Sequence, residues 1–252
     1  MHGALPRNYG GAPAHGSVMQ LLVADLGTLP YTEALDLQRA VARARITGEI
    51  AEDLLLLVEH PPVVTMGRGT KAGNLTASPE LLAARGVDLF EVDRGGDVTF
   101  HGPGQLVGYP IIDLKRHRKD LHWYLRQVEA ALIGALAPFG IAGERSAGQT
   151  GVWTAGRKIA SIGVHARDWV TWHGFALNVT TDLSYFDLMV PCGIAEVQMT
   201  SIARELNVAP EDAAELSERA RKEVVTGFAA TFGVEAVSLD RAELERLASA
   251  NR

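Results

Sequence analysis

The only cysteine of the chain, Cys192, stands between Pro191 and Gly193. A thiol attacks a carbonyl carbon only after it has lost its proton, and an unperturbed cysteine is mostly protonated at neutral pH. Nucleophilic catalysis by Cys192 therefore requires a base or a cation beside it. Free cysteines are more often buried and unreactive, so Cys192 is either a core side chain or a nucleophile.

Lys158 is the cation that the residue pattern singles out. Segment 158–165 reads as a strand, and its alternation places Lys158 on one face with Ala160 and Ile162. Ser161 falls on the opposite face. A lysine on an apolar face either reaches water from the strand end or is desolvated, in which case it can serve as a base. The pattern leaves both interpretations open.

Segment 94–105 is unusually rich in glycine, with four glycines, Arg94 and His101 among twelve residues. Glycine lets the backbone approach a ligand closely or adopt a positive φ. Two tight hairpin turns explain the same composition equally well. A phosphate-binding loop is disfavoured, because no Gly-Lys-Ser/Thr follows.

Two other kinds of catalytic site are disfavoured by motif. His101, His165 and His173 lack the helical spacing of a metal site, and no His-Glu-x-x-His motif occurs. Hydrogen-bonded strand histidines are expected at His165 and His173, and no metal is expected. No Gly-x-Ser-x-Gly elbow is present, which argues against a serine hydrolase.

Composition predicts a soluble globular protein. The chain has 252 residues, of which 47% are hydrophobic and 21% charged, enough to bury a sizeable core. A net charge of -6 disfavours electrostatic binding to nucleic acid. A single cysteine excludes a disulfide framework and fits a reducing compartment. Without a secretory signal or a long apolar run, we expect a cytoplasmic protein that does not bind membranes.

Periodicity predicts a mixed succession of strands and helices. Helices are expected over 31–47, 201–206 and 211–232. Two more are expected after N-cap residues: one follows Ser78, starts at residue 79 and ends at Gly86, and the other follows Asp120. Strands are expected over 18–26, 53–59, 87–92, 97–100, 106–114, 151–154, 158–165 and 172–179, with 53–59 central and the last three forming a meander. Strands grouped between few helices favour an α+β or mixed α/β layered domain over a doubly wound one.

Three segments follow from this division. Residues 1–17 are expected to form a flexible N-terminal tail, residues 18–235 a catalytic domain whose fold closes near Gly233, and residues 236–252 a charged C-terminal segment.

Four separated motifs closely resemble the lipoyl(octanoyl) transferases, in the same order, over roughly residues 18–233. They are Arg94-Gly95-Gly96 through His101-Gly102-Pro103-Gly104-Gln105, Gly156-Arg157-Lys158-Ile159-Ala160, His173-Gly174-Phe175-Ala176-Leu177-Asn178 and Pro191-Cys192-Gly193-Ile194. The resemblance implies a fold like the catalytic domain of biotin and lipoate ligases, which is a mixed sheet with helices packed on it.

The activity implied by the resemblance is transfer of an octanoyl group from acyl carrier protein to the ε-amine of a lysine on a lipoyl domain. Acceptors of this kind are the lipoyl domains of 2-oxoacid dehydrogenase complexes and the glycine cleavage H protein. The product is the precursor of protein-bound lipoate. Cys192 would form the acyl-thioester, and Lys158 would lower the pKa of its thiol. No cofactor is expected, because a thioester is already an activated acyl donor.

The substrate-binding positions of the family carry over to three matching segments, where small residues would leave a narrow apolar slot for the acyl chain. They are Arg94, Gly95, Gly96, Asp97, Val98, Thr99, Phe100 and His101, then Ser161, Ile162 and Gly163, then Gly174, Phe175 and Ala176. Backbone N–H groups near residues 102–104 or around Cys192 are candidate donors to an oxyanion.

Two rival functions remain open. An ATP-dependent lipoate–protein ligase shares the fold, but it needs no cysteine nucleophile. A catalytically silent binding module would have lost Cys192 or Lys158, and both are present. For an acidic carrier protein, we also expect a basic surface patch formed by Arg68, Lys71, Arg94 and Arg157.

Overall fold

The computed structural model describes residues 18–71, 73–189 and 197–249. The strands are β1 (Gln20–Thr28), β2 (Asp53–Glu59), β3 (Val63–Met66), β4 (Asp88–Glu91), β5 (Val98–His101), β6 (Gln105–Ile111), β7 (Glu144–Ser146), β8 (Gln149–Thr154), β9 (Arg157–Arg167), β10 (Val170–Asn178) and β11 (Glu235–Ser238). The helices are α1 (Tyr31–Thr47), α2 (Pro79–Ala84), α3 (Leu121–Leu136), α4 (Ile202–Leu206), α5 (Ala213–Phe232) and α6 (Arg241–Ser249).

Eight strands form one large mixed sheet in the order β11-β1-β2-β6-β10-β9-β8-β7. The pairs β1–β11 and β1–β2 are parallel, whereas every pair from β2–β6 to β7–β8 is antiparallel. Strands β8, β9 and β10 follow one another as the expected meander. A mixed α/β sheet with helices on it is therefore confirmed, and the doubly wound alternative is excluded.

Strand β2 is central, as its continuous apolar run predicts. Leu54, Leu55, Leu56 and Val58 are completely buried. A strand covered on both faces needs apolar side chains at consecutive positions, because neither face meets water. One face of the large sheet packs against α3 and α5, and the other packs against α1 and α6.

Side-chain caps start α2 and α3 where the sequence predicts. The Ser78 hydroxyl accepts from the Leu81 N–H at 3.3 Å, and the Asp120 carboxylate accepts from the Trp123 N–H at 3.0 Å. Each cap satisfies a backbone N–H that has no partner within the helix.

A second, three-stranded sheet has the order β4-β3-β5. Strand β3, which has only four residues and directly follows Pro61 and Pro62, was not predicted from the sequence. The small sheet has its own apolar cluster, which includes Val64 and Phe100. It joins the large sheet where the Gly95 N–H donates to the Val164 carbonyl at 2.8 Å.

A bulge in β9 corrects the predicted faces of this strand. Val152 pairs with Ala160, but the next residue of β8, Trp153, pairs with Lys158. The extra residue, Ile159, therefore turns into the same apolar cluster as Ala160. Lys158 then lies on the face opposite to Ala160, together with Ser161. The expectation that Lys158 shares a face with Ala160 and Ile162 was wrong, because regular alternation does not anticipate a bulge.

The fold continues beyond Gly233, where the sequence reading closed it. Strand β11 pairs in parallel with β1, and α6 packs against α1. Leu239 and Leu244 are buried in the same cluster as Val41. The short, highly charged elements were missed because only these few apolar positions reveal their packing.

We expect Leu244→Ala to lower the free energy of unfolding by about 2–5 kcal/mol, because it leaves a cavity beneath α6. Chemical denaturation measures the change. The matched control is Arg246→Ala, on the exposed side of the same helix, which should leave the free energy nearly unchanged. Equal stability of the two variants would contradict the packing of α6.

Candidate active site

A cavity of about 460 Å³ lies between the large and small sheets. It is bordered by β6, β9 and β10, by β5 and the turn before it, by the first residue of α1, and by the β7–β8 turn with the start of β8. Most of the predicted site residues border it, namely Arg94, Gly96, Asp97, Val98, Thr99, His101, Lys158, Ser161, Ile162, Gly163, Gly174, Phe175 and Ala176.

Gly95 and Phe100 are absent from the cavity wall. Gly95 instead links the two sheets through its N–H, and its carbonyl accepts from Arg94 Nη1 at 3.1 Å. Phe100 packs into the core of the small sheet, with its ring stacked on Tyr185 at 4.5 Å between centroids. Alternation along β5 explains the second case, because neighbouring side chains point to opposite faces.

Arg94 is a buried cavity residue. Its Nη2 donates to the Thr65 carbonyl at 2.7 Å and to Thr65 Oγ1 at 2.9 Å. The residue is 7% exposed, so these hydrogen bonds replace the water that a guanidinium loses on burial.

Burial of Arg94 corrects the predicted basic surface patch. Arg157 is only partly available, because it forms a two-pronged ion pair with Glu205, with Nη2 at 2.8 Å from Oε2. Arg68 and Lys71 are exposed. The Arg68 N–H donates to the Arg94 carbonyl at 3.0 Å, which places Arg68 beside a residue of the cavity wall.

Lys158 is 2% exposed and borders the cavity. Its N–H donates to the Gln198 carbonyl at 2.8 Å, and its carbonyl accepts from the Thr200 N–H at 2.9 Å. Its Nζ lies 4.9 Å from the centre of the Trp153 ring, a cation–π contact. The bulge thus holds a long basic side chain inside the cavity instead of at a strand end.

Cys192 lies outside the described residues. The described chain stops at Met189, which forms an isolated bridge with Leu75, and resumes at Val197. Met199 forms a parallel bridge with Lys158. The segment that follows Cys192 in the sequence is therefore anchored directly on the backbone of Lys158.

Two buried histidines are neutral, and their partners define their tautomers. His60 Nδ1 donates to the Leu29 carbonyl and His60 Nε2 accepts from the Tyr109 hydroxyl, both at 2.7 Å. Burial lowers the pKa of His60 to about 4 and the pKa of His101 to about 3.

A directed chain of hydrogen bonds runs from Arg94 through His101. Thr65 Oγ1 accepts from Arg94, which leaves its hydrogen for His101 Nε2 at 3.4 Å. His101 Nδ1 then donates to Gln105 Oε1 at 2.8 Å. A protonated His101 would break this order, because Nε2 could no longer accept.

The same chain ends at Lys158. Gln105 Nε2 donates to Asn178 Oδ1 at 2.9 Å, and Asn178 Nδ2 donates to the Thr200 carbonyl at 3.0 Å. Because the Thr200 N–H donates to the Lys158 carbonyl, the small sheet is connected to Lys158 by side chains that are all buried. Gln105 and Asn178 have this positioning role without bordering the cavity.

His173 was predicted to be a hydrogen-bonded strand histidine, and it is one, but it also borders the cavity. Its Nε2 lies 2.8 Å from Asp93 Oδ1, and its backbone N–H donates to Gln38 Oε1 at 3.0 Å. Burial lowers the pKa of His173. The hydrogen bond from His173 holds the pKa of Asp93 well below its usual range. The pair is therefore a carboxylate and a neutral imidazole that donates from Nε2.

Glycines keep the cavity walls thin. A Cβ at Gly163 would lie 2.6 Å from the Gly95 carbonyl oxygen, and one at Gly174 would collide with the Gly108 carbonyl oxygen. Neither contact is compatible with a side chain. These glycines are therefore required by the close approach of neighbouring backbones.

The predicted oxyanion donors near residues 102–104 are not supported. The Gly104 N–H donates to Glu59 Oε2 at 2.9 Å. Its carbonyl accepts from the N–H groups of Val179 and Thr180, so this turn ties β6 to the end of β10. Residues 102–104 do not border the cavity.

Several cavity residues were missed by the sequence reading: Tyr31, Val107, Tyr109, Gly148, Gln149, Thr150 and His173. They come from elements far apart in the chain, and no local motif marks most of them. His173 alone carried a signal, because it opens the His173-Gly174-Phe175-Ala176 motif.

Two absences concern the described parts of the chain. Among those residues, no three His, Cys, Asp or Glu side chains gather in a way that would hold a metal ion. No described helix combines the length and the apolar character needed to cross a membrane.

We expect the free energy of unfolding to fall as the pH is lowered from about 6.5 towards 4. In this range the unfolded chain protonates His60 while the folded chain keeps it neutral, at about 1.4 kcal/mol per pH unit. His60→Gln should reduce the slope, and His122→Gln on the exposed face of α3 should leave it unchanged. Denaturant titrations across this range would contradict the assignment if all three slopes agreed.

Comparison with known proteins identifies the family. The model of the lipoyl protein ligase A/B catalytic domain matches residues 30–225. An octanoyltransferase from Acidobacterium capsulatum is 48% identical over 235 residues, covering 88% of this chain and 94% of the relative. An octanoyltransferase from Rubrobacter xylanophilus is 51% identical over 209 residues, covering 82% and 91%.

Solved structures share the fold at low sequence identity. A lipoate-protein ligase A bound with ATP has a TM-score of 0.74 at 16% identity and covers 93% of this chain and 94% of its own. A putative lipoate protein ligase from T. acidophilum has a TM-score of 0.72 at 17% identity, with 93% of each chain covered. The resemblance inferred from the four motifs is confirmed: the chain belongs to the octanoyltransferases, acyl-transferring enzymes with the lipoyl protein ligase A/B catalytic domain.

Proposed function

We propose that the chain transfers an octanoyl group from octanoyl-acyl carrier protein to the ε-amine of a lysine on lipoyl domains, through a thioester on Cys192. The acceptors are the lipoyl domains of 2-oxoacid dehydrogenase complexes and the glycine cleavage H protein, in the cytoplasm. The observation that carries the proposal is the buried Lys158 in the cavity wall, clamped by the segment that follows Cys192.

Chain connectivity limits how far Cys192 can lie from Lys158. Gln198, whose carbonyl accepts from the Lys158 N–H, is six positions after Cys192, and a fully extended chain of that length spans about 20 Å at most. An ammonium near a thiol favours the thiolate, which is the form that attacks. Lys158 is thus suited to activate Cys192.

In the first half-reaction, the Cys192 thiolate attacks the carbonyl carbon of the donor thioester. A bond from carbon to Sγ forms, the bond to the carrier's sulfur breaks, and the carrier leaves as a thiol after taking up a proton. The exchange of one thioester for another is nearly neutral in free energy. No separate activation of the acyl group is required.

In the second half-reaction, the acceptor amine attacks the acyl-enzyme. A carbon–nitrogen bond forms, the bond to Sγ breaks, and a proton leaves the nitrogen. Because an amide is more stable than a thioester, this step makes the overall transfer downhill.

The cavity suits a medium-length acyl chain. Its volume of about 460 Å³ falls within the range of about 300–1,000 Å³ that is usual for small-molecule pockets. The apolar part of the cavity wall is formed by Val107, Ile162, Phe175 and Ala176, and the glycines allow the backbones to approach so closely that the cavity is narrow. Arg68 and Lys71 are exposed cations that an acidic carrier protein can contact.

The mass of the intact protein tests the covalent intermediate. After mixing with octanoyl-acyl carrier protein without ATP, we expect a gain of one octanoyl group that hydroxylamine removes. Cys192→Ala and Cys192→Ser should show no gain in mass. Lys158→Ala should keep its fold but form the acyl-enzyme up to about 100-fold more slowly.

Two outcomes would contradict this mechanism. Full turnover in the Cys192 variants would exclude the covalent step. Acylation of a lipoyl domain that requires ATP and free octanoate would favour the ligase function instead.

The acyl slot predicts a change of chain-length preference in Ala176→Leu. The larger side chain occupies cavity space, so we expect the ratio of octanoyl to butanoyl transfer to fall by about tenfold or more. Ala166→Leu, on β9 but outside the cavity wall, is the control. An unchanged ratio in Ala176→Leu would place the acyl chain elsewhere.

A further inference from the structure

His173 has a backbone conformation that its position does not explain. It lies in the middle of β10 with a φ of +55°, in the left-handed region that residues other than glycine rarely adopt. Its pairing with Val164 on β9 nevertheless stays in register. Backbone strain of this kind persists only where the surrounding structure maintains it, and it is concentrated at functional sites.

The unusual φ directs the imidazole towards Asp93. Regular alternation would send His173 towards the apolar cluster that holds Phe175, two residues further on. Instead, Nε2 donates to Asp93 Oδ1 at 2.8 Å. The carboxylate is itself held in place, since Arg39 Nη2 lies 3.4 Å from Oδ1 and His165 Nδ1 donates to the Asp93 carbonyl at 2.9 Å.

The other ring nitrogen, Nδ1, is not used by the pair with Asp93. Within the described parts of the chain, no residue hydrogen-bonds to His173 Nδ1. This atom is not completely buried, so solvent in the cavity can reach it. His173 borders the cavity together with Lys158. Because Nε2 carries the proton that Asp93 accepts, Nδ1 has a free lone pair.

The second half-reaction needs such a lone pair. An ammonium on Lys158 that stabilises the Cys192 thiolate has no lone pair and cannot also accept a proton from the attacking amine. We propose that His173 is a further catalytic residue, the general base that removes this proton, and that Asp93 is its positioning residue. This inference rests on the proposed function.

The proton transfer balances within the site. As the acceptor nitrogen bonds to the acyl carbon, His173 Nδ1 takes its proton, and the resulting imidazolium is stabilised by the Asp93 carboxylate. The carbon–sulfur bond then breaks, and the imidazolium returns the proton to the departing Cys192 sulfur. Charged or titratable groups that interact electrostatically with the imidazole are Asp93, Arg94, His101 and His165.

His173→Gly tests the inference, because glycine tolerates the positive φ and leaves a space that imidazole can fill. The acyl-enzyme is prepared, a lipoyl domain is added, and decay of the acyl-enzyme is followed by intact mass, with and without imidazole. We expect acyl-enzyme formation at close to the normal rate, decay slowed about 100-fold or more, and at least tenfold recovery with imidazole.

His122→Gln is the matched control, since it removes a histidine from the exposed face of α3, outside the cavity wall. It should form and discharge the acyl-enzyme normally, without an effect of imidazole. Asp93→Asn should slow the decay and shift its pH profile while leaving acylation intact.

The result that would overturn the inference is normal decay in His173→Gly, or equal slowing of both half-reactions without recovery by imidazole. In either case a wild-type acyl-enzyme would leave the proposed function standing. Failure of the wild-type protein to form an acyl-enzyme at all would instead refute the proposed function.

Discussion

The arrangement of the cavity depends on the hydrogen bonds that the buried guanidinium of Arg94 donates. A charge removed from water must be hydrogen-bonded on the protein side, since otherwise its burial costs several kcal/mol. Thr65 on β3 and the carbonyl of Gly95 provide acceptors, and this requires the small sheet to lie close to the large one. The same closeness leaves no room for a Cβ at Gly163. The position of the small sheet, the narrow wall and the charge in the cavity are therefore consequences of one another.

From Arg94 the order of hydrogen-bond donors is determined as far as Lys158. Each buried group in the chain through Thr65, His101, Gln105, Asn178 and Thr200 accepts from one neighbour and donates to the next. Such a chain has one consistent direction only while His101 is neutral, which its burial ensures. Gln105 and Asn178 hydrogen-bond within this chain and do not border the cavity, so they act by holding the backbone of Lys158 through Thr200.

Two local departures from regular strand geometry bring polar side chains to the apolar wall. The bulge at Ile159 turns Lys158 to the cavity side of β9, and the positive φ of His173 turns its imidazole away from the core side of β10. In regular strands both side chains would face the apolar cluster between the sheet and helices α3 and α5. Both departures occur on neighbouring strands and border one cavity. Because of these two irregularities, an ammonium on Lys158 and a neutral imidazole on His173 can take the two separate roles proposed for them.

The sequence by itself determined the principal helices, the central strand β2 and the caps at Ser78 and Asp120, because these depend on local periodicity and on one side chain meeting a nearby N–H. Its four motifs also identified the family and most of the residues that border the cavity. Only the tertiary structure decided that β11 and α6 complete the sheet, that Arg94 is buried and that Lys158 and His173 face the same space. The physical reason is that burial, bulges and backbone approach depend on contacts between residues far apart in the chain, whereas periodicity reports only on near neighbours. A strand pattern predicts which residues alternate, but the partner strand determines where the alternation breaks.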